Sequence, residues 1–405
     1  MHLTINSEFA TLKEVLVHRP GREIDRLTPY NKHLLLFEDV PYLEEMQREH
    51  DVFTQLISEK CGAQVYFFDK LLGDILEDNS LRNDLIREAL AVSRLEHLSE
   101  ELLGVLTQEQ CVQALIAGIK VHEVRGRVSA AALADLLDLA FLIPPCPNLY
   151  FQRDTAAILP GGMVFSSMRL DQRQREANMV RKIFENHSLF KDKIQQVYPT
   201  TTHNHTPSIE GGDVIILSNK AAAIGCSERT DEKAVYHVAK SLIADGRIER
   251  VYEIHLPKKR NFMHLDTVFT ILDKNRVLTY PDALQAVQRI SVYTRKEEDS
   301  EKVNIKRTVL KKPLREVLKM EIPHLEIIGT DKVNQEYALR EQWFDGANVF
   351  TIGPGQVISY NRNKHTNQAL RDYGIEVLEM PSSELSRGLG GPRCMSLPIA
   401  RETIV

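Results

Sequence analysis

Two short apolar stretches joined by a tight turn form a unit that recurs along this chain of 405 residues. The copies lie at 154–165, 213–224, 266–278 and 348–358. Each copy opens on Asp or Asn, and its turn contains residues such as Gly, Pro, Asn and Lys, which is typical of a β-hairpin. Helix-like stretches, among them 172–185 and 231–242, separate the copies. Such spacing predicts a quasi-symmetric α/β array. An ordinary α/β sandwich with similar hairpins by chance is the alternative.

Strands predicted at 12–18 and 64–68 would complete the array. If the array closes on itself, the polar residue that opens each hairpin would face a common centre. Between the strand predicted at 64–68 and the first hairpin, the residue pattern becomes helical, because Leu and Ala recur there at helical spacing. Thr107 and Gln110 have the form of a capping box within this stretch. We predict a helical domain over 72–142, inserted into an α/β domain made of 1–71 and 143–405.

Composition excludes several classes of function. The 51 basic and 56 acidic residues leave a net charge of -5, too small and too dispersed to predict nucleic acid or an anionic membrane as partner. The N-terminus does not resemble a signal peptide, and no run of about 18 apolar residues predicts a membrane span. Five cysteines, none close to another in sequence, favour a reducing compartment over a disulfide framework. A cytoplasmic enzyme is expected.

Residues that carry chemistry cluster at the heads of the hairpins. Asp154 opens the first hairpin, Glu210 precedes the second, His264 and Asp266 open the third, and Cys394 follows a glycine-rich approach near the C-terminus. If 264–266 is a strand, the side chains of His264 and Asp266 point the same way. A thiol is a nucleophile only as thiolate, and a histidine or the neighbouring Arg393 could favour that form.

Several carboxylates around a thiol predict a cationic substrate. Buried carboxylates with no partner are costly, and a planar guanidinium is the group that pairs with them in bidentate fashion. Each residue also has an ordinary structural explanation: a buried small hydrophobe for the cysteine, turn capping for the carboxylates. Their joint occurrence favours chemistry at a guanidine carbon.

Four motifs resemble those of bacterial arginine deiminases. They are Asn148–Asp154, Glu210–Asp213, Met263–Asp266 and Gly390–Ser396. The opening stretches Leu12–Gly21 and Leu36–Tyr42 resemble that family as well, and all six occur in the family's order. The resemblance implies five ββαβ modules in a pseudo-symmetric, propeller-like (pentein) ring with an inserted helical domain. It also implies no metal, no organic cofactor, and a homodimer or higher homo-oligomer.

The resemblance further implies hydrolysis of free L-arginine to citrulline and ammonia. Cys394 would attack the guanidinium carbon, and Asp154 and Asp266 would hold the guanidinium nitrogens. His264 would protonate the departing ammonia and then activate the water that hydrolyses the thiouronium adduct. Glu210 would support the guanidinium and the proton transfers.

A second set of residues is expected to bind the rest of the substrate. Asn148, Arg173 and Arg229 resemble positions that bind the α-carboxylate, and Phe151 and Gly388 complete the substrate-binding set. For both arginines, a surface salt bridge is the ordinary alternative.

One position departs from the pattern of many family members. Where they carry Arg-Gly-Arg-Gly-Gly, this chain has Leu389 within 387–391. An apolar residue there would alter substrate affinity and the gating of a glycine-rich loop, but it does not exclude activity.

Other functions remain open from the residues alone. An agmatine deiminase would leave Arg173 and Arg229 without purpose, and an amidinotransferase would need room for an amine acceptor. A catalytically silent arginine-binding scaffold would tolerate loss of Cys394. A zinc hydrolase using His203 and His205 is the weakest alternative, because their spacing fits no zinc signature.

Overall fold

The computed structural model of the protein describes residues 3–133, 136, 139–199, 206–244, 246–296, 304–329 and 335–404. The strands are β1 (Leu12–Val17), β2 (Gln64–Phe67), β3 (Ala156–Leu159), β4 (Gly162–Phe165), β5 (Gln196–Tyr198), β6 (Val214–Ser218), β7 (Ala221–Cys226), β8 (Arg250–His255), β9 (Phe269–Ile271), β10 (Arg276–Thr279), β11 (Arg289–Arg295), β12 (Ile305–Leu310), β13 (Glu326–Gly329), β14 (Phe350–Gly353), β15 (Gln356–Tyr360), β16 (Glu376–Met380) and β17 (Leu397–Arg401). The helices are α1 (Leu43–Cys61), α2 (Phe68–Ile75), α3 (Asn79–Ala91), α4 (Ser99–Val105), α5 (Gln108–Ala117), α6 (Val121–Val124), α7 (Ala130–Leu133), α8 (Asp171–Asn186), α9 (Glu232–Ala244), α10 (Pro281–Ala286), α11 (Leu314–Glu321), α12 (Gln335–Trp343) and α13 (Lys364–Asp372).

Within these described ranges the strands form five sheets with one shared pattern. A central strand pairs antiparallel with one neighbour and parallel with the other. The central strands are β1, β4, β7, β10 and β15. In the sheet centred on β7, β11 and β12 continue the edge beyond β8. All four predicted hairpins are therefore confirmed, as β3–β4, β6–β7, β9–β10 and β14–β15.

The first sheet joins the two ends of the chain. β1 pairs antiparallel with β17 and parallel with β2, so the segment that follows Cys394 closes onto the N-terminal strand. The strands predicted at 12–18 and 64–68 are confirmed, although Phe68 already begins α2. This closure brings residues near position 8 and residues near position 394 to the same part of the molecule.

Short helices follow one another between β2 and the first hairpin, from α2 to α7. α5 begins at the predicted capping box, in which Thr107 Oγ1 accepts from the Gln110 N–H and the Gln110 side chain accepts from the Thr107 N–H. These helices pack in one hydrophobic cluster with β3 and β4. The limits of a separate domain at 72–142 stay a prediction.

Short 3-10 turns precede three of the hairpins and carry the polar residues of interest. Asp154 lies in Gln152–Thr155, Asp213 in Gly211–Asp213 and Asp266 in Leu265–Thr267. The strand predicted from 266 begins only at Phe269. The expectation that His264 and Asp266 point together because they share a strand is therefore wrong. Their placement depends on a turn with its own geometry.

Among the helices that the structure describes, none combines the length and the apolarity that crossing a bilayer requires.

Candidate active site

Cys394 lies in the loop between the 3-10 turn Leu385–Gly388 and β17, and it is 7% exposed. Its N–H donates to Asn348 Oδ1 at 3.0 Å, and its carbonyl accepts from the Arg153 N–H at 3.0 Å. A Cβ on Gly391 would lie 2.4 Å from the Asn348 carbonyl oxygen, so only glycine permits this approach. The thiol is thus held by the head of the last hairpin and by the turn before the first.

His264 is buried between two carboxylates that come from the first two hairpin heads. Its Nε2 lies 2.8 Å from Glu210 Oε2, and its Nδ1 lies 3.6 Å from Asp154 Oδ1. A Cβ on Gly212 would lie 2.7 Å from His264 Nδ1, so the second glycine after Glu210 makes room for the ring. Three separate segments therefore meet at one imidazole.

The charges in this cluster determine its protonation. Burial lowers the pKa of His264, but the charge of Asp154 and the hydrogen bond to Glu210 outweigh burial and hold that pKa well above its usual range. Burial raises the pKa of Glu210, but the hydrogen bond and charge of His264 hold it below its usual range. His264 is consequently an imidazolium paired with a carboxylate near neutral pH, which makes it a proton donor.

Cys394 is a thiol rather than a thiolate in this arrangement. Burial raises its pKa well above the usual range, and the charges of Asp266 and Asp154 add to the effect. Burial also raises the pKa of Asp266, against the opposing charge of Arg393. A cation placed among these groups would favour the thiolate and the ionised carboxylates together.

Three carboxylate oxygens of the cluster lack a hydrogen bond within the described part of the chain. They are Asp154 Oδ1 and both oxygens of Asp266, all buried. Leaving such oxygens unpaired costs free energy, so they mark a position that a donor-rich ligand fills.

The two predicted carboxylate-binding arginines differ in their surroundings. Arg173 is already engaged: it donates to Asp154 Oδ2 at 2.7 Å, to Glu176 Oε2 at 2.9 Å and to the Asn148 carbonyl at 3.3 Å. Among described residues, Arg229 Nε and Nη1 find no hydrogen-bond partner, and carboxylate oxygens of Glu210 and Glu228 each lie 3.9 Å from one of these nitrogens. Of the two arginines, Arg229 therefore has more capacity to donate to an added anionic group.

A cavity of about 100 Å³ is lined by eight of the ten predicted site residues. They are Cys394, His264, Asp154, Asn148, Phe151, Arg173, Arg229 and Gly388. Glu210 and Asp266 are fully buried and lie behind this lining. Leu389, with a left-handed backbone (φ 58°), forms part of the wall together with Leu36, Leu339 and Trp343. The departure at 389 therefore changes the wall of this cavity.

Two residues of the site were missed as functional candidates. Asp345 lines the cavity, with a left-handed backbone (φ 53°), and burial raises its pKa to about 7 with help from the charge of Asp266. Asn348 was noticed only as the opening of a hairpin, yet it orients the Cys394 backbone. Asp345 precedes Gly346, and an Asp-Gly pair before a strand is read as an ordinary turn.

A metal is a second conceivable use of the cluster, because oxygen and nitrogen atoms of Asp154, Glu210 and His264 lie within 4.8 Å of one another. Each of the two carboxylates already has a partner: Glu210 Oε2 pairs with His264, and Asp154 Oδ2 accepts from Arg173. The positive charges of His264 and Arg173 beside these donors disfavour the binding of a metal cation. His203 and His205, the residues of the zinc alternative, lie outside the described residues.

Known arginine deiminases align with nearly the whole of this chain. Residues 33–401 match the family model described as arginine deiminase. The arginine deiminase of Latilactobacillus sakei subsp. sakei is 36% identical over 411 residues, covering 99% of this chain and 98% of that protein. That of Lentilactobacillus hilgardii is 38% identical over 411 residues, covering 98% and 96%.

The chain belongs to the arginine deiminase family. This membership confirms the family and the class of enzyme that the motifs predict. It leaves the role of each residue to be argued from the site.

Solved structures of similar fold have much lower sequence identity. The N-terminal domain of ArgZ, covalently bound to a reaction intermediate, has a TM-score of 0.56 at 16% identity and covers 96% of this chain and 98% of that chain. A dimethylarginine dimethylaminohydrolase in an adduct with S-methyl-L-thiocitrulline has a TM-score of 0.54 at 15% identity, covering 95% and 99%. These likenesses confirm the α/β fold class. Closure of the five units into a propeller-like ring stays a prediction.

Proposed function

We propose that this member of the arginine deiminase family hydrolyses free L-arginine to L-citrulline and ammonia through a covalent adduct on Cys394. The observation that carries the proposal is a set of three buried oxygens, Asp154 Oδ1 and both of Asp266, that have no hydrogen bond within the described residues and lie beside a thiol and an imidazolium. A guanidinium supplies both the donors that these oxygens lack and the positive charge that the thiol needs.

Binding comes first in the proposed sequence. The guanidinium pairs with Asp154 and Asp266, and its charge lowers the pKa of Cys394, so that the thiol releases its proton to solvent. Arg229, with Asn148 and Arg173, receives the substrate α-carboxylate. Phe151 and Gly388 line the passage between the two ends of the substrate.

The chemistry then proceeds in two halves. The Cys394 thiolate forms a bond to the guanidinium carbon, and His264 donates its proton to the nitrogen that leaves as ammonia. The resulting thiouronium keeps the positive charge. Neutral His264 next takes a proton from water, whose oxygen attacks the same carbon. The C–S bond breaks with the sulfur leaving as thiolate, the carbon loses its hydroxyl proton and becomes the ureido group of citrulline, and the thiolate takes up a proton to restore the resting thiol. Glu210 holds His264 through both transfers.

The deciding experiment is citrulline formation from purified protein and L-arginine, with a chelator present. We expect turnover that thiol alkylation abolishes. We also expect Cys394→Ser to lose turnover while it still folds and binds arginine, because serine lacks a thiolate. Near-normal activity of Cys394→Ser would contradict the cysteine mechanism, and loss of activity with chelator alone would favour a metal.

Rival functions give different results in the same assay. An agmatine deiminase would release ammonia from agmatine in preference to arginine. An amidinotransferase would transfer the group to glycine or ornithine in place of water. A silent scaffold would bind arginine without turnover. Cytoplasmic location and a homodimeric or higher state remain predictions.

A further inference from the structure

A layer of buried charge lies directly behind the site. Arg393, the neighbour of Cys394, is 3% exposed, Asp266 is fully buried, and Glu8 from the N-terminal segment is 6% exposed. Arg153 and Arg401, also buried, complete the layer. Burial lowers the pKa of Arg153 to about 9, and the charge of Arg393 adds to the effect. Burial likewise lowers the pKa of Arg401 to about 10. Positive charge exceeds negative charge in this layer, because three arginines face two carboxylates.

Arg393 lies between two carboxylates but bonds to them differently. Its Nη1 donates to Glu8 Oε2 at 2.7 Å. Its Nε lies 3.3 Å from Asp266 Oδ2, yet neither atom makes a hydrogen bond among the described residues. Asp266 thus has a neighbouring positive charge without donating groups on its oxygens.

Glu8 is itself fixed. Its second oxygen, Oε1, accepts from the Ile216 N–H in β6 at 3.0 Å. Burial raises the pKa of Glu8, but the charges of Arg393 and Arg153 hold it at about 2, so Glu8 is ionised. The N-terminal segment and the second hairpin therefore anchor the acceptor that Arg393 uses.

We propose that Glu8 is a positioning residue for arginine binding: it retains the Arg393 guanidinium by a hydrogen bond, and so leaves both Asp266 oxygens available for the guanidinium of the substrate. This inference rests on the proposed function. Without Glu8, Arg393 has Asp266 as its nearest carboxylate. It would then form the paired hydrogen bonds that arginine makes with carboxylates, in competition with the substrate.

The test is a binding measurement that does not require turnover. Calorimetry would give the Kd for L-arginine in Cys394→Ser, with and without Glu8→Gln. Since hydrogen bonds to charged groups are the stronger kind, we expect Glu8→Gln to raise Kd by about tenfold or more. In the active enzyme KM should rise, with a much smaller change in kcat. If Glu8→Gln fails to fold, Glu8→Asp provides a second test. It keeps the carboxylate but shortens the side chain by one methylene, and it should also raise Kd.

A double-mutant cycle separates positioning from general damage to the fold. If Glu8 acts through Arg393, Glu8→Gln should change Kd little once Arg393 is replaced by Gln. Glu321→Gln is the matched control, because Glu321 is also a buried carboxylate bonded to an arginine, Arg250, and it does not line the cavity. It should leave Kd unchanged.

Each result has a definite meaning. The inference is overturned if Glu8→Gln leaves Kd unchanged. It is also overturned if Glu8→Gln changes Kd equally in the presence of Arg393 and in Arg393→Gln. No arginine binding to Cys394→Ser overturns it too. If the wild type binds arginine but makes no citrulline, the proposed function fails, while a Glu8 effect on Kd would still support the positioning role.

Discussion

Cys394 shows how single charges decide reactivity in this protein. Burial and the neighbouring carboxylates hold its pKa high, so the resting sulfur is a thiol. The same carboxylates are what a guanidinium binds. In the proposed mechanism, an arriving guanidinium turns an environment that repels the Cys394 thiolate into one that stabilises it, so the sulfur becomes reactive only when substrate is bound.

Replacement of Asp345 most directly tests how nearby negative charge controls the pKa of Cys394. Replacing it with Asn removes one of the negative charges that raise the Cys394 pKa, and Asn tolerates the left-handed backbone at this position. We expect the pKa of Cys394 to fall, and iodoacetamide to inactivate Asp345→Asn about three- to tenfold faster at a fixed pH near 8.

The measurement is the inactivation rate as a function of pH, without substrate. Asp372→Asn, at the exposed end of α13, is the control and should follow the wild type. A profile for Asp345→Asn that coincides with the wild type would remove Asp345 from the charges that act on the thiol.

Arg229 tests recognition of the other end of the substrate. Because Nε and Nη1 of Arg229 have no hydrogen-bond partner among the described residues, its loss should leave few groups unpaired. Arg229→Ala should raise KM for arginine far more than KM for agmatine, which has no carboxylate. Equal effects on both substrates would show that Arg229 does not bind the carboxylate.

At the level of secondary-structure elements, a buried electrostatic contact relates His50 of α1 to His18, the residue after β1. His50 on α1 is fully buried, and neither ring nitrogen has a hydrogen-bond partner among the described residues. Burial lowers its pKa from 6.5 to about 3, with the charge of His18 adding to the effect and that of Asp51 opposing it. The folded protein therefore holds a neutral imidazole in this contact.

This contact predicts a dependence of stability on pH. The pKa of His50 is lower when folded than when unfolded, so its contribution is complete above pH 6.5 and is lost as pH falls from 6.5 towards 3. The loss amounts to about 1.4 kcal/mol per pH unit for a single group. His50→Leu should flatten the dependence of the free energy of unfolding on pH in that window, measured by urea denaturation.

His33→Leu provides the control, since His33 is exposed. It should keep the wild-type dependence on pH. If His50→Leu keeps it as well, other groups must carry the acid sensitivity of the fold.

Across the whole molecule, the site depends on segments that are far apart in the chain. Arg393 donates a hydrogen bond to Glu8 across 385 residues, and the Cys394 N–H donates to the Asn348 side chain. The pairing of β1 with β17 favours the first of these contacts, because it ties the start of the chain to its end. Catalytic geometry and closure of the fold are therefore coupled through the terminal segments.

The amino-acid sequence alone determined the hairpins, the larger helices, the capping box at Thr107 and the family. Each of these depends on local features: alternation of apolar residues, turn chemistry, or short motifs in order. It also placed Cys394, His264, Glu210 and Asp154 at hairpin heads, which the structure brings together.

Only the tertiary structure decided how those heads meet. It put Asp266 in a 3-10 turn instead of a strand and engaged Arg173 with Asp154, while Arg229 Nε and Nη1 have no hydrogen bond among the described residues. It also added Asp345 and Glu8 to the surroundings of the site. These outcomes depend on contacts between residues tens to hundreds of positions apart. Burial and charge at such contacts arise from packing, and no local pattern encodes them.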